Sequence, residues 1–228
     1  MKKLTILTGA GISAESGIKT FRDSDGLWEN HSIEEVATPE GWRKNRELVL
    51  EFYNQRRRQL HEVHPNEAHQ LLADLEQYFE VQIITQNIDD LHERAGSTNI
   101  IHLHGELFKS CSCNNKNLIY DQKNDINIGD KAKDGAQLRP FIVWFGEDVP
   151  LMTVASEIAK KSDIFVVIGT SLQVYPAAGL VHDIKDDCLL IVINPKETDF
   201  GYGERAVVMK ETATKGMKLL FEKLVNLA

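Results

Sequence analysis

At 228 residues, with 42% hydrophobic and 26% charged residues, the chain is long enough for a sizeable core and too ordinary in composition for a disordered or low-complexity protein. The formal net charge of -8 argues against a nucleic-acid partner bound through its phosphates, while a cationic substrate such as a lysine-rich tail is compatible with it. No apolar run approaches the roughly 20 residues of a membrane span, and three cysteines make no disulfide framework, so we expect a cytoplasmic monomer with no membrane partner.

Four short apolar runs rich in β-branched residues predict buried strands, and helical periodicity separates them. The predicted strands cover 4–8, 81–85, 164–169 and 189–194, and the predicted helices cover 46–63, 66–79, 151–160, 176–184 and 214–227. Strands that alternate with helices pair in parallel. We therefore predict an α/β fold, a Rossmann-like parallel sheet with helices on both faces.

Two stretches interrupt the alternation and predict a smaller inserted lobe. Residues 21–77 carry no strand signal, and residues 109–137 are mostly polar. We predict a single domain over 1–228, with a large lobe of about 1–28, 78–108 and 138–228 and a small lobe of about 29–77 and 109–137. Ligands of open α/β sheets bind beyond the carboxyl ends of the strands, so the segments that follow the four predicted strands should meet in one crevice.

A glycine loop follows the first predicted strand. Its sequence, Gly9-Ala10-Gly11-Ile12-Ser13-Ala14, matches G-x-G-x-x-[GA]. In that pattern Gly9 makes the tight turn, Gly11 allows close backbone approach to a pyrophosphate, and Ala14 packs the helix. The loop indicates phosphate binding, and a simple strand-to-helix turn is the alternative.

A dehydrogenase of the Rossmann type has a second strand after the glycine loop, and this strand ends in an acidic residue about 20 positions further on. This chain has a polar loop over residues 16–28 instead. That absence disfavours a dehydrogenase. The loop resembles a lid that orders over a bound cofactor and excludes water. We expect Phe21 and Arg22 to lie against the nicotinamide and phosphate ends, and we include Trp28 among the cofactor-binding residues. The alternative is a surface loop with one anchored phenylalanine.

Amides and carboxylates cluster after the second predicted strand, in Gln86-Asn87-Ile88-Asp89. Such groups bind a ribose diol or a carboxamide. Helix capping by Asn87 or Asp89 is the alternative, but it explains only one residue of the cluster. The cluster therefore favours a binding role.

Two histidines follow, in His102-Leu103-His104-Gly105, and strand alternation would place both on one face. A metal pair, a structural histidine and a general base are the three interpretations. No further ligand lies at a recognisable spacing, which disfavours a metal. A structural role accounts for His102. For His104, beside a glycine, we predict a general base, because an imidazole near its unperturbed pKa takes a hydroxyl proton at neutral pH.

The later strand ends carry small or polar residues suited to an adenosine ribose and its phosphates, Gly169-Thr170-Ser171 and Asn194-Pro195-Lys196. Before them lies an apolar and aromatic extended run over residues 138–147. Either this run lines a channel and binds an extended peptide, or it is an ordinary core strand. The expected substrate contacts are Val143, Phe145, Gly146 and Glu147.

These motifs, in this order, resemble the sirtuin (Sir2) family. The resemblance runs from about residue 4 to about residue 215. It is carried by Gly9-Ala10-Gly11-Ile12-Ser13, Ser16-Gly17-Ile18, Phe21-Arg22, Gln86-Asn87-Ile88-Asp89, Leu103-His104-Gly105, Val143-Trp144-Phe145-Gly146-Glu147 and Gly169-Thr170-Ser171. It implies an NAD-dependent protein-lysine deacylase, with NAD as co-substrate and acylated lysine in proteins or peptides as substrate.

The resemblance also implies roles for single residues. The acyl-lysine carbonyl oxygen would attack C1′ of the nicotinamide ribose, nicotinamide would leave, and His104 would activate a ribose hydroxyl that captures the acyl group. The products would be lysine, nicotinamide and O-acyl-ADP-ribose. Gln86 and Asn87 would face the ribose and nicotinamide, with Asn87 catalytic beside His104, and the adenosine side would be lined by Ser171, Asn194 and Ala213.

Tyr53 and Arg56 are three residues apart in the predicted helix 46–63 and therefore share a face. A guanidinium binds a carboxylate bidentately and a phenol adds one hydrogen bond, so the pair suits an acidic acyl tail such as succinyl or malonyl. A packed tyrosine with a solvated arginine is the alternative. The pair resembles the Tyr-x-x-Arg of sirtuins that remove such groups, which favours desuccinylase and demalonylase activity.

The chain departs from the family at the structural zinc site, which most sirtuins build from two Cys-x-x-Cys pairs. Here Cys111 and Cys113 are one residue apart, and the third cysteine, Cys188, precedes a predicted core strand. We therefore expect a small lobe without zinc. Two competing functions remain, a mono-ADP-ribosyltransferase that uses the same NAD site and a non-catalytic NAD or ADP-ribose binding module; His104 argues against the second.

Overall fold

The computed structural model describes residues 1–19, 31–196 and 205–228. Its strands are β1 (Lys3–Thr8), β2 (Glu80–Thr85), β3 (Ile100–His102), β4 (Gly105–Ser112), β5 (Ile119–Asp121), β6 (Leu138–Ile142), β7 (Ile164–Ile168), β8 (Leu189–Ile193) and β9 (Ala206–Met209). Its helices are α1 (Gly11–Ala14), α2 (Ile33–Val36), α3 (Pro39–Lys44), α4 (Arg46–Glu62), α5 (Glu67–Asp74), α6 (Leu91–Ala95), α7 (Met152–Ala159) and α8 (Ala213–Val225), with 3-10 turns at Leu75–Gln77 and Ala177–His182.

Six strands form one parallel sheet in the order β3-β2-β1-β7-β8-β9. All four predicted strands belong to it, which confirms the predicted α/β class. Strands β1 and β7 lie side by side at the centre of the sheet. From β1 the strand order proceeds outward to β2 and β3, and from β7 it proceeds outward on the other side to β8 and β9. The switch point between β1 and β7 is where open α/β sheets bind ligands.

Helices cover both faces of the parallel sheet, as predicted. On one face Leu72 of α5 and Met217 of α8 pack against the strands, and on the other Ala155 of α7 and Leu180 of the second 3-10 turn do so. Two predicted helices differ from the structure. The predicted helix 66–79 ends as a 3-10 turn, and 176–184 is 3-10 over Ala177–His182.

A second sheet of three antiparallel strands, in the order β5-β4-β6, accompanies the small lobe. Strand β4 extends across the expected lobe boundary at residue 108, and β6 begins at residue 138, inside the expected large-lobe segment. A third core cluster joins this sheet to α3 and α4 through residues such as Trp42, Val49 and Trp144. None of the helices within the described ranges is long and apolar enough to cross a membrane.

Buried polar contacts join helix α4 to the segment around Ile126 and to strand β4. The Asn54 amide donates from Nδ2 to the Ile126 carbonyl at 3.0 Å and accepts the Ile126 N–H at 2.9 Å. Arg57, 1% exposed, donates to the Leu107 carbonyl and to Asn54 Oδ1. Desolvation lowers the pKa of Arg57 to about 10, so this guanidinium is still charged at neutral pH.

The turn after β4 is organised by Ser112. Its hydroxyl accepts the backbone N–H groups of Asn114 and Asn115 and donates to Asp134 Oδ2 at 2.6 Å. The neighbouring Cys111 and Cys113 are free thiols. The turn that contains Cys111 and Cys113 is therefore stabilised by the hydrogen bonds of Ser112, the residue between them.

Candidate active site

A cavity of about 540 Å³ opens at the carboxyl ends of β1, β2, β7 and β8, a volume within the roughly 300–1,000 Å³ typical of small-molecule sites. Every site residue predicted from the sequence that lies in the described ranges lines it. These are Gly9, Ala10, Gly11, Ser13, Tyr53, Arg56, Gln86, Asn87, Ile88, Asp89, His104, Val143, Phe145, Gly146, Glu147, Gly169, Thr170, Ser171, Asn194, Pro195, Lys196 and Ala213. The predicted lid residues Phe21, Arg22 and Trp28 lie outside the described residues.

Other lining residues were missed by sequence reasoning. They are Ala14, Glu15, Ile18, Lys19, Ala37, Gln59, Leu60, Leu107, Ile142, Trp144, Val149, Val174, Tyr175, Pro176 and Thr212. Most are apolar or sit inside helices, where their residue type and spacing are those of core residues. For Trp144 a signal existed, because it lies inside the aromatic run 138–147.

The glycine loop is tight because it interlocks with the loop after β7. A Cβ on Gly9 would lie 2.7 Å from Thr170 Cβ, and one on Gly11 would lie 2.6 Å from Gly169 Cα. The Gly11 N–H also donates to the Gly169 carbonyl at 2.8 Å. The backbone of Gly169 leaves no space for a side chain at position 11, and close approach of Gly11 to a pyrophosphate stays a prediction. The interpretation of Ala14 is corrected, since it is exposed and lines the cavity.

Three polar side chains form a buried network beneath the glycine loop. Asn87 donates from Nδ2 to the Gly9 carbonyl at 3.2 Å and to Ser13 Oγ at 3.1 Å. Ser13 in turn donates to Asp89 Oδ2 at 2.9 Å. Burial raises the pKa of Asp89 to about 6, against the hydrogen bonds from Ser13 and the Leu91 N–H. The network holds an amide and a carboxyl group at the end of β2.

His104 has the geometry of a general base. Its Nδ1 lies 3.0 Å from the Gln86 carbonyl oxygen. Because a carbonyl only accepts, Nδ1 carries a proton, and in the neutral ring Nε2 bears the lone pair. Burial lowers the pKa of His104, with the Gln86 hydrogen bond acting in the opposite sense. The ring is therefore neutral at physiological pH and able to take a proton at Nε2.

His102 lies between two acceptors. Its Nδ1 bonds to the Asn87 carbonyl at 3.0 Å and its Nε2 to Glu93 Oε1 at 2.7 Å. Burial lowers the pKa of His102, but the Glu93 carboxylate outweighs it and the pKa is raised overall. Both ring nitrogens are therefore donors, which gives His102 a structural role and leaves no basic lone pair.

The opposite end of the cavity carries the later strand ends. Gln86 donates from Nε2 to Thr170 Oγ1 at 3.2 Å, and Asn194 donates from Nδ2 to the Thr170 carbonyl at 2.9 Å. Asn194 Oδ1 accepts the Lys196 N–H. Ala213, at the first turn of α8, completes this end. The strand ends are thus bonded to one another around a continuous wall.

Tyr53 and Arg56 lie on the face of α4 that borders the cavity. Tyr53 is fully buried, and its oxygen accepts a hydrogen bond from Trp144 Nε1 at 3.1 Å. Arg56 is 9% exposed; its Nη1 donates to the Phe52 carbonyl and its guanidinium stacks 3.2 Å from the centre of the Phe52 ring. The interpretation of Arg56 as a solvated surface arginine is therefore wrong.

The expected peptide-binding run is fastened at both ends. The Val143 N–H donates to the His104 carbonyl and the Phe145 N–H to the Ala37 carbonyl, each at 2.9 Å. Phe145 is 44% exposed at the mouth of the cavity. The Glu147 carboxylate is engaged by Arg139 and by the Trp144 N–H, so its contact with substrate stays a prediction.

Metal ligands do not gather in the described part of the chain. Across 1–19, 31–196 and 205–228, no group of three or more His, Cys, Asp or Glu side chains is arranged to hold a metal ion. The expectation of a small lobe without zinc remains a prediction that metal analysis will test.

Comparison with known proteins gives concordant results. The Sir2 family model matches residues 9–176. A Helicobacter pylori protein named NAD-dependent protein deacylase is 56% identical over 228 residues, covering 100% of both chains. The crystal structure of a Sir2 homologue in complex with NAD superposes with a TM-score of 0.88 at 40% identity, covering 99% of this chain and 90% of that one. A mutant Sir2 homologue with bound 2′-O-acetyl ADP-ribose gives 0.88 at 39% identity, covering 99% and 93%.

The family match covers the glycine loop, the Asn87 network, His104 and the peptide-binding run, and the full-length relative extends it over the rest of the chain. The chain belongs to the Sir2 family.

Proposed function

We propose that the chain is an NAD-dependent protein-lysine deacylase that forms O-acyl-ADP-ribose, with His104 as its general base. The observation that carries the proposal is the His104 tautomer, a neutral ring with its lone pair on Nε2, in a cavity whose wall is made by four strand ends. The named activity of the Helicobacter pylori relative supports it. The same name does not favour the mono-ADP-ribosyltransferase alternative.

The cavity residues fit NAD. Asn87 and Asp89 lie at the β2 end, where the amide oxygen and the carboxyl group can accept hydrogen bonds from the NH2 of a carboxamide. The β8 and α8 end, with Asn194 and Ala213, suits the adenosine half. The NAD and 2′-O-acetyl ADP-ribose complexes of Sir2 homologues with the same fold support an NAD site in this chain.

NAD supplies C1′ of its nicotinamide ribose as the electrophile and nicotinamide as the leaving group. The Asn87 network orients the carboxamide, and the strand run 143–147 places the acyl-lysine with its carbonyl oxygen toward C1′. His104 Nε2 takes a proton from a ribose hydroxyl, whose oxygen then receives the acyl carbon. A water molecule would add to the acyl carbon as its bond to the lysine nitrogen breaks, and the former carbonyl oxygen would stay on C1′. Lysine, nicotinamide and O-acyl-ADP-ribose would result, with that one water consumed. The buried cavity walls keep other water from the reacting centre.

The test compares nicotinamide release and deacylated peptide formed by wild type and His104→Ala on an acetylated peptide. The variant should lose at least about 100-fold in deacylation, the usual lower range for a general base. His61→Ala, on an exposed ring outside the cavity, serves as the matched control. Full deacylation by His104→Ala would refute the assignment, and labelled ADP-ribose accumulating on protein would favour the transferase.

We also propose that acidic acyl groups, succinyl and malonyl, are substrates, recognised by Tyr53 and Arg56. Both side chains border the cavity one turn apart on α4, and a charge-assisted hydrogen bond contributes about 1.5–3 kcal/mol. Arg56→Met should therefore reduce kcat/KM about tenfold or more further for a succinyl peptide than for an acetyl peptide. Arg58→Met is the control, since Arg58 is exposed on the same helix and pairs with Asp125 and Glu51. Equal losses on the two peptides would count against the acidic pocket.

A further inference from the structure

The hydroxyl group of Tyr53 accepts a hydrogen bond from Trp144, a residue that was not among the predicted site residues. Trp144 Nε1 lies 3.1 Å from the Tyr53 oxygen, and both residues are buried, with exposures of 2% and 0%. They are 91 residues apart in sequence, and both line the cavity. The contact therefore joins the peptide-binding run to the acyl-binding face of α4.

The direction of this hydrogen bond is determined by chemistry. An indole N–H is a donor only, so the phenol oxygen must accept from it. The single hydroxyl proton of Tyr53 is then directed to an acceptor on another side of the oxygen. A carboxylate in the cavity is such an acceptor, because an ionised carboxylate offers lone pairs and no proton.

Trp144 is itself held rigidly by a buried ion pair. The Arg139 guanidinium stacks 3.3 Å from the centre of the Trp144 ring, and Arg139 is 5% exposed. Its Nη1 and Nη2 donate to the two oxygens of Glu147 at 2.9 and 3.2 Å. The same carboxylate accepts the Trp144 backbone N–H at 3.0 Å. Backbone and ring of Trp144 are thus fixed by one pair of charges.

We propose that Trp144 is a positioning residue for acyl specificity: its indole N–H turns the Tyr53 hydroxyl into a donor aimed at the carboxylate of an acidic acyl group. The inference rests on the proposed succinyl and malonyl specificity and names the residue that makes Tyr53 selective. Without the indole donor, the phenol proton loses its preferred direction, and a carboxylate must compete with other acceptors for it. An acetyl group has no carboxylate and gains nothing from this orientation.

The experiment measures kcat and KM for succinyl and acetyl versions of one peptide in Trp144→Phe, which keeps an aromatic ring against Arg139 but has no N–H. The expected result is a rise of about fivefold or more in KM for the succinyl peptide relative to the acetyl peptide, as one lost hydrogen bond of about 1 kcal/mol requires. Trp42→Phe is the matched control, because Trp42 packs in the same aromatic cluster, 5.7 Å from Trp144, without lining the cavity. Its succinyl-to-acetyl ratio should equal that of wild type.

A double-mutant cycle with Tyr53→Phe separates positioning from general packing. If Trp144 acts through the Tyr53 hydroxyl, Trp144→Phe should change the succinyl-to-acetyl ratio little once that hydroxyl is gone. Additive losses, or equal losses on both peptides, overturn the inference. Should Trp144→Phe fold poorly, benzothienylalanine at position 144, which replaces the N–H by sulfur at constant shape, gives the same comparison.

Arg56→Met distinguishes the two levels of the proposal. If Arg56→Met loses both activities equally, the acidic acyl specificity itself fails. If Arg56→Met is selective for succinyl but Trp144→Phe is not, the acidic pocket stands and only the positioning role of Trp144 is overturned.

Discussion

At the scale of single residues, hydrogen-bond partners decide what each histidine does. His102 and His104 are separated by one residue and each bonds through Nδ1 to a carbonyl of the segment after β2. The difference is at Nε2, where His102 meets Glu93. The sequence pattern favoured a structural role for the first and a base for the second. The partners of His102 agree with a structural role, and the general-base role of His104 stays a prediction.

The pH dependence of catalysis should follow His104. Because burial lowers its pKa, the ring stays neutral until the pH falls below the ordinary imidazole value of about 6.5. We expect kcat/KM for an acetyl peptide to decline on the acid side with an inflection below 6.5. Burial raises the pKa of Asp89 to about 6, so the profile of Asp89→Asn must be measured as well. An inflection above 6.5, or one that disappears in Asp89→Asn, would contradict the assignment to His104.

At the scale of elements, helix α4 serves two purposes with its two faces. Tyr53 and Arg56 border the cavity, while Asn54 bonds to Ile126 and Arg57 bonds to Leu107. The predicted helix 46–63 contained all four residues, but periodicity alone indicated only which of them share a face. Only packing shows that the second face holds the segment around Ile126.

Removing the Asn54 amide should loosen the small lobe. Asn54→Ala leaves both backbone groups of Ile126 without their buried partner, a loss of about 2–4 kcal/mol in the free energy of unfolding. Urea denaturation measures it. Gln55→Ala, on the exposed side of the same helix, should change stability by no more than about 0.5 kcal/mol. Similar losses in the two variants would show that the Asn54 contacts contribute little.

Hydrogen bonds of Ser112 organise the turn that carries Cys111 and Cys113, and we expect this lobe to fold without a metal. Elemental analysis of the purified protein should give well under one zinc per chain, and a chelator should leave the melting temperature unchanged. Stoichiometric zinc would overturn the expectation.

At the scale of the whole molecule, two buried imidazoles link stability to pH. His69 and His92 are fully buried with ring centroids 5.0 Å apart. Burial lowers the pKa of His69 to about 4 and that of His92 well below its usual value. The unfolded rings titrate near 6.5. Since the unfolded chain then binds more protons, the free energy of unfolding should fall as the pH drops from about 6.5 toward 4.

For His69 alone this difference amounts to roughly 3 kcal/mol, at about 1.4 kcal/mol per pKa unit. Asp89 acts in the opposite sense, because its raised pKa favours the protonated folded form between pH 6 and 3.8. Urea denaturation of wild type and His69→Gln across this range isolates the histidine contribution. The variant should show a flatter decline, and parallel curves would contradict the linkage.

Much of the fold follows from local pattern. The strands β7 and β8 are wholly apolar, and β1 and β2 each carry three apolar residues among six, because both faces of a parallel sheet are buried. These short apolar runs are recognisable in the sequence. Strand β9 was missed since its four residues are half exposed and carry no distinct pattern. The 3-10 turn at Ala177–His182 was predicted as a helix, because both structures share apolar spacing over so short a segment.

The sequence by itself determined the fold class, the family and the strand-end segments that meet in the cavity, because these depend on period, turn chemistry and motif order along the chain. The tertiary structure decided three further matters: that the backbone of Gly169 excludes a side chain at Gly11, that His104 bears its lone pair on Nε2, and that Trp144 donates a hydrogen bond to Tyr53. Each depends on contacts between residues far apart in the chain or on the partner of one ring nitrogen. Such contacts exist only once the strands have paired and the helices have packed.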